Sequence, residues 1–241
     1  MKNTDWFKDW FNTPYYHILY KNRNLDDAKL FMRNITNHLE LSKTSHILDL
    51  PCGKGRHSIY LNSLGYNVTG ADLSENSIHH AKKFENEHLK FKMHDMRIPL
   101  DDKYDAIFNL FTSFGYFDDD KIDLLILKNI KNGLKENGFF VFDFLNATKV
   151  KSELVKSEIK TIDEIIFNIT RKIINGFILK QISFHADGKN HLYTEKVKYL
   201  DFDKIKMYLE HIGLTIIDVF GDYYLNKFDN KTSNRLIVIA K

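Results

Sequence analysis

Between residues 46 and 145, the spacing of apolar and polar positions switches repeatedly between the period of a strand and that of a helix. Short apolar runs typical of buried strands lie near 46–50, 67–71, 89–93, 104–110 and 138–144. Stretches with helical spacing separate them, near 55–64, 75–87 and 119–135. This alternation predicts parallel strands with helices on both faces of the sheet. Asn137-Gly138 is expected to end the last of these helices.

The flanking segments have different patterns. Residues 1–45 show no strand pattern and carry dense aromatic residues followed by a helical pattern, so we interpret them as an N-terminal aromatic helical cap. Residues 46–241 form the main domain in this interpretation, with a β-rich antiparallel insertion at about 150–200. Three strands are expected there, at 165–174, 177–185 and 191–200, with Asn175-Gly176 and Asp187-Gly188 as hairpin turns. A helix near 202–212 and strands at 214–220 and 235–240 complete the prediction.

An acidic residue follows each of the first three predicted strands. Asp49 precedes a turn that contains Gly53 and Gly55, Asp72 ends the second strand, and Asp95 follows the third. Glycines without Cβ atoms let a ligand approach the backbone closely, and the helix that follows presents unpaired N–H groups. Asp72 lies 19 residues after Gly53, which suits a carboxylate that accepts hydrogen bonds from ribose hydroxyls. The pattern predicts a nucleoside cofactor at the carboxyl edge of the sheet.

A dinucleotide would use the same turn and the same ribose carboxylate. The glycine fingerprint of dinucleotide sites is incomplete here, because Pro51 stands at its first glycine and Ser58 at its third. Asp95 has no standard role in a dinucleotide site, whereas it could accept a hydrogen bond from an exocyclic adenine amine. These differences favour a cofactor with a single nucleoside.

Four segments together resemble the motifs of class I S-adenosylmethionine-dependent methyltransferases. They are Leu48–Arg56, Gly70–Ser74, His94–Arg97 and Asn109–Tyr116. The resemblance covers nearly the whole chain, and residues 46–145 most completely. It implies an α/β, Rossmann-like fold: a doubly wound, mostly parallel seven-stranded sheet with helices on both faces and an antiparallel final strand. It also implies S-adenosylmethionine as cofactor and S-adenosylhomocysteine as product.

The resemblance assigns cofactor contacts to the glycine turn and to the second strand. Gly53 and Gly55 would pack against the amino-acid end and the sugar, and Asp49 would neutralise the ammonium group or orient the loop. Asp72 would hold the ribose hydroxyls, and Leu73 would flank the adenine.

Further cofactor contacts are implied along the next two strands. Asp95 would take the adenine amine, the Met96 backbone N–H would meet a ring nitrogen, and Phe111 would offer backbone near the methionyl group. Pro51 departs from the family pattern, and because proline has no N–H, a contact made by that backbone group is absent.

The leading segment also resembles small-molecule methyltransferases, including N-methyltransferases of amino sugars and amino acids. By this resemblance Tyr16 and Arg23 would close over the cofactor, with Arg23 or Arg56 reaching its carboxylate. A packed tyrosine and solvated arginines are the alternative interpretation. The expected substrate pocket has four residues: Tyr15, Tyr20, Phe114 and Tyr116.

Composition excludes several other classes. The net charge is only +3 and basic residues are spread along the chain, so no nucleic-acid surface is expected. The single cysteine, Cys52, forms no internal disulfide or thiolate metal cluster, and we predict no metal. Its place inside the glycine turn disfavours a nucleophilic role. No signal peptide or membrane-spanning run is recognisable, which favours a cytoplasmic protein.

The predicted function is methyl transfer to a small-molecule acceptor by in-line displacement. The acceptor atom is left open among an amine, a hydroxyl and a carbon acid. An RNA or protein methyltransferase of the same fold and a non-catalytic nucleotide-binding module are the alternatives. No catalytic residue is assigned; a general base, if the acceptor needs one, would come from a set of four: His17, His185, His191 and Tyr116. The sequence carries no indication of the oligomeric state.

Overall fold

A computed structural model of the protein describes residues 5–21 and 25–241. The strands in this part of the chain are β1 (His46–Asp49), β2 (Asn67–Asp72), β3 (Leu89–Met93), β4 (Tyr104–Asn109), β5 (Leu134–Leu145), β6 (Ser157–Ile162), β7 (Ile165–Ile174), β8 (Phe177–Ala186), β9 (Lys189–Lys198), β10 (Ile216–Phe220) and β11 (Arg235–Ala240). The helices are α1 (Trp6–Phe11), α2 (Pro14–Leu19), α3 (Leu25–His38), α4 (Arg56–Ser63), α5 (Glu75–Ala81), α6 (Asp120–Gly133), α7 (Ala147–Ser152) and α8 (Phe202–His211).

Seven strands form the larger sheet, in the order β10-β11-β5-β4-β1-β2-β3. Strands β1 to β5 run parallel, and β11 lies antiparallel between β5 and β10. This confirms the predicted doubly wound sheet with its antiparallel final strand. The strand order reverses at β1, which pairs with β4 on one side and β2 on the other. In open α/β sheets, ligands bind at such a switch point, outside the carboxyl ends of the strands.

Successive residues of the central strands bury their side chains on opposite faces of this sheet. On β1, Leu48 belongs to the core cluster shared with α6 and α8, whereas Ile47 belongs to the cluster shared with α3, α4 and α5. On β5, Phe140 and Val141 divide in the same way. Because both faces are apolar, each needs a helical layer, which explains the near-continuous hydrophobic runs of these strands.

The smaller sheet is antiparallel, with the order β6-β7-β8-β9. The predicted hairpin turns are confirmed: Asn175-Gly176 and Asp187-Gly188 all have positive φ, between +50° and +75°, as type I′ turns require. The prediction of three strands was wrong by one. Strand β6 has only two apolar residues, Ile159 and Ile162, and is largely exposed, so its sequence carries little strand signal.

The N-terminal helices do not all pack in one place. Trp10 of α1 and Leu19 of α2 are buried against Phe167 and Phe184 of the smaller sheet. Helix α3 instead joins the core of the larger sheet, where Phe31 is fully buried. The division into a cap at 1–45 and a domain at 46–241 stays a prediction.

Asn137-Gly138 does not end a helix, so this expectation was wrong. Helix α6 ends at Gly133, and the chain passes directly into β5. Tyr104 pairs with Leu134 and Ala106 with Phe139, so the strand bulges between these two pairs, and Asn137 adopts a φ of +60° there. The asparagine-glycine pair marks this bulge and not the end of a helix, because a bulge, like a helix end, needs a residue in the left-handed conformation. The helix predicted at 75–87 is also shorter: α5 ends at Ala81, and a 3-10 turn follows at Lys82–Phe84.

Candidate active site

The turn between β1 and α4 lies at the carboxyl edge of the larger sheet and is fixed by bonds to β2. The Gly53 N–H donates to Asp72 Oδ2 at 2.7 Å, and the Cys52 N–H donates to the Ala71 carbonyl at 2.9 Å. Gly53 has a φ of +55°, and a Cβ added there would meet no described atom within 4 Å beyond its two chain neighbours. This glycine therefore borders open space that a ligand can fill.

Gly55 is required for a different reason. Its φ is +83°, and an added Cβ would lie 2.7 Å from the ring of Phe91. The residue thus lets α4 begin close against β3, as glycine does in tight strand-to-helix turns.

Asp49 ends β1 with its side chain fully buried. Its Oδ2 accepts a hydrogen bond from Ser58 Oγ at 2.6 Å, while its Oδ1 has no hydrogen-bond partner among the described residues. Burial raises the pKa of this carboxyl to about 7. A buried acceptor without a donor is costly, so the position suits a cationic ligand group such as an ammonium.

Asp72 is oriented by two backbone donors. Its Oδ2 accepts from the Gly53 N–H, and its Oδ1 accepts from the Ser74 N–H at 2.8 Å. Each carboxylate oxygen keeps a second lone pair, which leaves acceptors for the two hydroxyls of a ribose. Burial raises the pKa of Asp72. Leu73, the next residue, is partly buried and packs against the adjoining core cluster.

Asp95 forms a bidentate pair with Arg97, which the sequence did not predict. Arg97 Nη2 lies 2.5 Å from Asp95 Oδ2, and Arg97 Nε lies 3.0 Å from Oδ1. Burial alone would raise the pKa of Asp95, but the hydrogen bonds from Arg97 outweigh it and hold the pKa below its usual range. Met96 lies beside the site, with its sulfur 3.6 Å from Asn109 Nδ2. The Asp95 carboxylate stays ionised as an acceptor.

The turn after β4 lies directly against the first turn of α4. The Arg56 guanidinium lies 4.0 Å from the centre of the Phe111 ring, and the ring of His57 lies 5.3 Å from it. Asn109 Nδ2 donates to the Leu50 carbonyl at 2.9 Å, which joins the ends of β4 and β1. The structure therefore brings Arg56 and Phe111, predicted separately, into one place.

The sequence analysis did not predict an ion pair that lies beneath the turn after β4. Asp143, fully buried on β5, accepts from Arg235 Nε of β11 at 2.7 Å and from the Phe111 N–H at 2.9 Å. Tyr223 Oη also lies 3.3 Å from the Asp143 carboxylate. The only local signal was a charged residue inside the apolar run Phe139–Phe144.

The predicted aromatic residues divide into three locations. Tyr116 donates to the Thr112 carbonyl at 3.1 Å, and its ring contacts Trp6 and Phe11. Tyr16 contacts Phe11, with ring centres 4.8 Å apart, so Tyr116, Phe11 and Tyr16 form an aromatic wall beside the turn after β4. Phe114 lies in the core against Phe142.

Tyr15 and Tyr20 lie farther out, on the smaller sheet. Tyr15 donates to Asp187 and packs on Phe184 and His191. Tyr20 donates to Glu195 at 2.7 Å.

Arg23 lies outside the described residues. Of the candidate bases, His17 contacts Tyr16, and His185 is exposed and bonded to Asn190. None of them is assigned a catalytic role.

Within the ranges 5–21 and 25–241, no group of three or more histidine, cysteine, aspartate or glutamate residues is arranged to hold a metal ion. In the same ranges, no helix has the length and apolar character needed to cross a membrane.

These residues fit S-adenosylmethionine. The unpartnered Asp49 oxygen matches its ammonium group, the space beside Gly53 admits it, and Asp72 matches its ribose. Fold and site together define the class I methyltransferase architecture. A family model described as tellurite resistance protein TehB matches residues 14–152, more than half of the chain. The chain belongs to the TehB family.

Relatives of known name agree with this assignment. The probable S-adenosyl-L-methionine-dependent methyltransferase TehB of Haemophilus influenzae is 28% identical over 142 residues, which cover 57% of this chain and 44% of that protein. The chain thus spans less than half the length of this relative.

Two solved structures show the same fold over nearly the whole chain. An S-adenosylmethionine-dependent methyltransferase from Clostridium acetobutylicum superposes with a TM-score of 0.80 at 24% identity, covering 94% of this chain and 95% of that one. CalS10, an amino pentose methyltransferase from Micromonospora echinaspora, superposes with a TM-score of 0.71 at 15% identity, covering 95% and 97%.

Proposed function

We propose that this chain transfers the methyl group of S-adenosylmethionine to a small-molecule acceptor. The observation that carries the proposal is a buried carboxylate with an unpartnered oxygen, Asp49 Oδ1, beside the open space at Gly53 and the oriented carboxylate of Asp72. When bound, the cofactor supplies a methyl group already activated on a sulfonium. The protein then has to bind, align and exclude water.

Each group at the carboxyl edge has a distinct binding task in this proposal. Asp49 compensates the ammonium charge, and a bound cation lowers its pKa, so the carboxylate is ionised in the complex. Asp72 holds the ribose hydroxyls. Arg56, stacked on Phe111, offers its guanidinium to the carboxylate of the cofactor.

The acceptor would bind beneath the aromatic wall formed by Tyr116, Phe11 and Tyr16. The hydrogen bond from Tyr116 Oη to the Thr112 carbonyl joins this wall to the turn after β4. Alignment of two reactants can lower a barrier by about 7–11 kcal/mol, so positioning is the main contribution asked of these side chains. The relative CalS10, an amino pentose methyltransferase of the same fold, supports a small acceptor, and the net charge of +3 does not favour a nucleic acid.

Ligand-dependent unfolding tests the cofactor first. S-adenosylmethionine and S-adenosylhomocysteine should each raise the unfolding free energy by about 2.7 kcal/mol at a concentration 100 times Kd, whereas NAD should not. A shift with NAD and none with either sulfur compound would overturn the proposal.

An acceptor screen tests the second part. Amines, amino sugars and hydroxylated compounds are offered with S-adenosylmethionine, and release of S-adenosylhomocysteine is measured. Turnover with one of these compounds is expected. Turnover only with RNA or a protein, or salt-sensitive retention on RNA, would replace the small acceptor by a macromolecule.

A further inference from the structure

The turn after β4 has a backbone conformation that non-glycine residues avoid. Phe111 has a φ of +59° and Thr112 a φ of +63°, two consecutive left-handed residues, of which the second is β-branched. Such strained pairs persist only where surrounding contacts determine them, and they concentrate at ligand sites. Something must therefore hold this turn.

Asp143 of β5 accepts the N–H groups of both left-handed residues, and Arg235 of β11 contacts the Thr112 side chain. The Phe111 N–H donates to Asp143 Oδ2 at 2.9 Å, and the Thr112 N–H donates to the Asp143 carbonyl at 3.0 Å. Arg235 bridges the two parts, with Nε 2.7 Å from Asp143 Oδ1 and Nη2 3.2 Å from Thr112 Oγ1. Thr112 Oγ1 in turn accepts from the Leu145 N–H at 2.9 Å.

The sheet itself does not need a charge at this position. Neighbouring pairs between β5 and β11 are apolar, such as Phe142 with Val238 and Phe144 with Leu236. An apolar residue at 143 would continue that pattern, and a buried ion pair is often no more stabilising than apolar residues of similar size. The feature that Asp143 adds is an acceptor for the Phe111 N–H.

The held turn faces the glycine turn. Phe111 contacts Arg56 and His57 at the start of α4, and Asn109 bonds to the Leu50 carbonyl. A displacement of the turn would therefore move the Phe111 ring on which the Arg56 guanidinium lies, next to the end of β4 that is bonded to Leu50, the residue after Asp49.

We propose that Asp143 and Arg235 are a positioning pair: they hold Phe111 and Thr112 in the left-handed conformation that shapes the pocket for the amino-acid end of S-adenosylmethionine. The inference rests on the proposed function. Neither residue touches the reacting atoms. Their effect is confined to one end of the cofactor, which distinguishes positioning from general support of the fold.

The test compares two ligands that share the nucleoside. S-adenosylhomocysteine has the amino-acid end, and 5′-methylthioadenosine lacks it; both affinities are measured by titration calorimetry. Arg235→Met and Asp143→Asn should weaken the affinity for S-adenosylhomocysteine by about tenfold to a hundredfold, the loss expected when one hydrogen bond to a charged ligand group is misplaced, and leave the affinity for 5′-methylthioadenosine unchanged. Arg235→Lys keeps the charge, but an ammonium group cannot contact Asp143 and Thr112 at the same time as the guanidinium does. It should give an intermediate loss of affinity for S-adenosylhomocysteine.

Control variants separate positioning from folding. Asp105→Asn alters a carboxylate at the opposite end of β4. Like Asp143, Asp105 accepts a hydrogen bond from a backbone N–H, that of His46 at 2.7 Å, and is paired with a cation, Lys135 Nζ at 2.8 Å. Asp105→Asn should leave both affinities unchanged. Thr112→Val removes the contacts of Thr112 Oγ1 with Arg235 and with the Leu145 N–H without leaving a buried charge unpaired, and it should weaken the affinity for S-adenosylhomocysteine selectively even if the charge variants fold poorly. Hydrogen exchange of the Phe111 amide, which needs no ligand, should accelerate in Asp143→Asn.

The outcomes are distinct. An equal loss of affinity for both ligands overturns the positioning role while the proposed function stands. An unchanged affinity for S-adenosylhomocysteine together with an unchanged exchange rate of the Phe111 amide does the same. A parent protein that binds neither S-adenosylmethionine nor S-adenosylhomocysteine overturns the proposed function, and this inference falls with it.

Discussion

The two ends of the larger sheet use carboxylates in opposite ways. At the carboxyl edge, Asp49 and Asp143 are fully buried, and Asp49 keeps an oxygen without a donor among the described residues. At the amino edge, Asp105 is partly exposed and paired with both the His46 N–H and Lys135. Both ends belong to the same strands, so backbone architecture alone does not explain the difference.

The comparison teaches where the protein accepts a cost in stability. A buried carboxylate without full compensation destabilises the folded state, whereas a half-exposed and paired one is neutral or mildly favourable. Sites that violate the ordinary rules of burial are usually functional, because a ligand supplies the missing partner. Four variants test this contrast, from the largest expected effect to the smallest.

Asp49→Asn should have the largest effect, on the pH dependence of stability. Because burial raises the pKa of Asp49 from 3.8 to about 7, the folded state holds a proton that the unfolded state releases. The contribution of Asp49 to the stability of the unliganded parent should therefore fall as pH rises from 4 to about 7, by up to about 4 kcal/mol, and then level off. Asparagine does not titrate, so denaturant unfolding of Asp49→Asn should lose the part of the pH dependence that Asp49 contributes and keep the smaller part from Asp72 and Asp123, whose pKa values burial also raises.

Asp105 supplies the matched control with the opposite sign. Burial would raise its pKa, but the hydrogen bonds from Lys135 and His46 outweigh burial and lower it. Asp105 should therefore stabilise the fold above the unfolded pKa and lose that contribution as pH falls through its lowered value. If Asp49→Asn and the parent had the same pH dependence of stability between pH 4 and 7, the contrast between the two edges would be wrong.

Asp72→Asn comes next and acts on ligand affinity. Hydrogen bonds to a charged acceptor contribute about 1.5–3 kcal/mol each, so loss of the carboxylate should weaken S-adenosylhomocysteine by about tenfold to a hundredfold. Titration calorimetry at pH 7 measures it. Asp105→Asn should bind like the parent, and an equal loss in both variants would indicate a general effect on the fold.

Much of this edge could be predicted because its signals are local. Asp49 and Asp72 end strands that apolar runs define, and Gly53 lies in the turn that follows the first of them, so their positions followed from the pattern of the strands. The Asp143–Arg235 pair joins residues 92 positions apart, and it depends on the antiparallel register of β11 against β5. No spacing in the sequence encodes that register. The sequence analysis missed β6 for a local reason: an exposed strand needs few apolar residues, so its sequence lacks the apolar pattern that reveals the buried strands.

Gly53→Ala should separate affinity from stability. The φ of +55° strains an alanine by about 1 kcal/mol, and its methyl group meets no described atom within 4 Å. The unfolding free energy should therefore fall only slightly, but affinity for S-adenosylhomocysteine should fall by about tenfold or more if the ligand fills that space.

Gly176→Ala is the matched control for this variant. Gly176 also has a positive φ, +75°, with open space around it, but it lies in the hairpin turn between β7 and β8. It should show a similar loss of stability and no change in affinity. Equal affinities in Gly53→Ala and Gly176→Ala would mean that the ligand does not approach Gly53.

Lys135→Met at the amino edge should have the smallest effect. The Lys135 side chain is 46% exposed and lies 2.8 Å from Asp105, and exposed pairs of this kind contribute about 0.2–1 kcal/mol, less at high salt. Asp105 keeps the His46 N–H as a donor, so no buried group loses its only partner. Arg235→Met removes the cation from a fully buried carboxylate instead, and should cost several times more. Chemical denaturation at low and high salt measures the loss of unfolding free energy in each variant. High salt should reduce this loss for Lys135→Met but not for Arg235→Met. Equal costs in the two variants would show that burial does not distinguish the edges, because the same change of charge would then have the same effect at either end of the sheet.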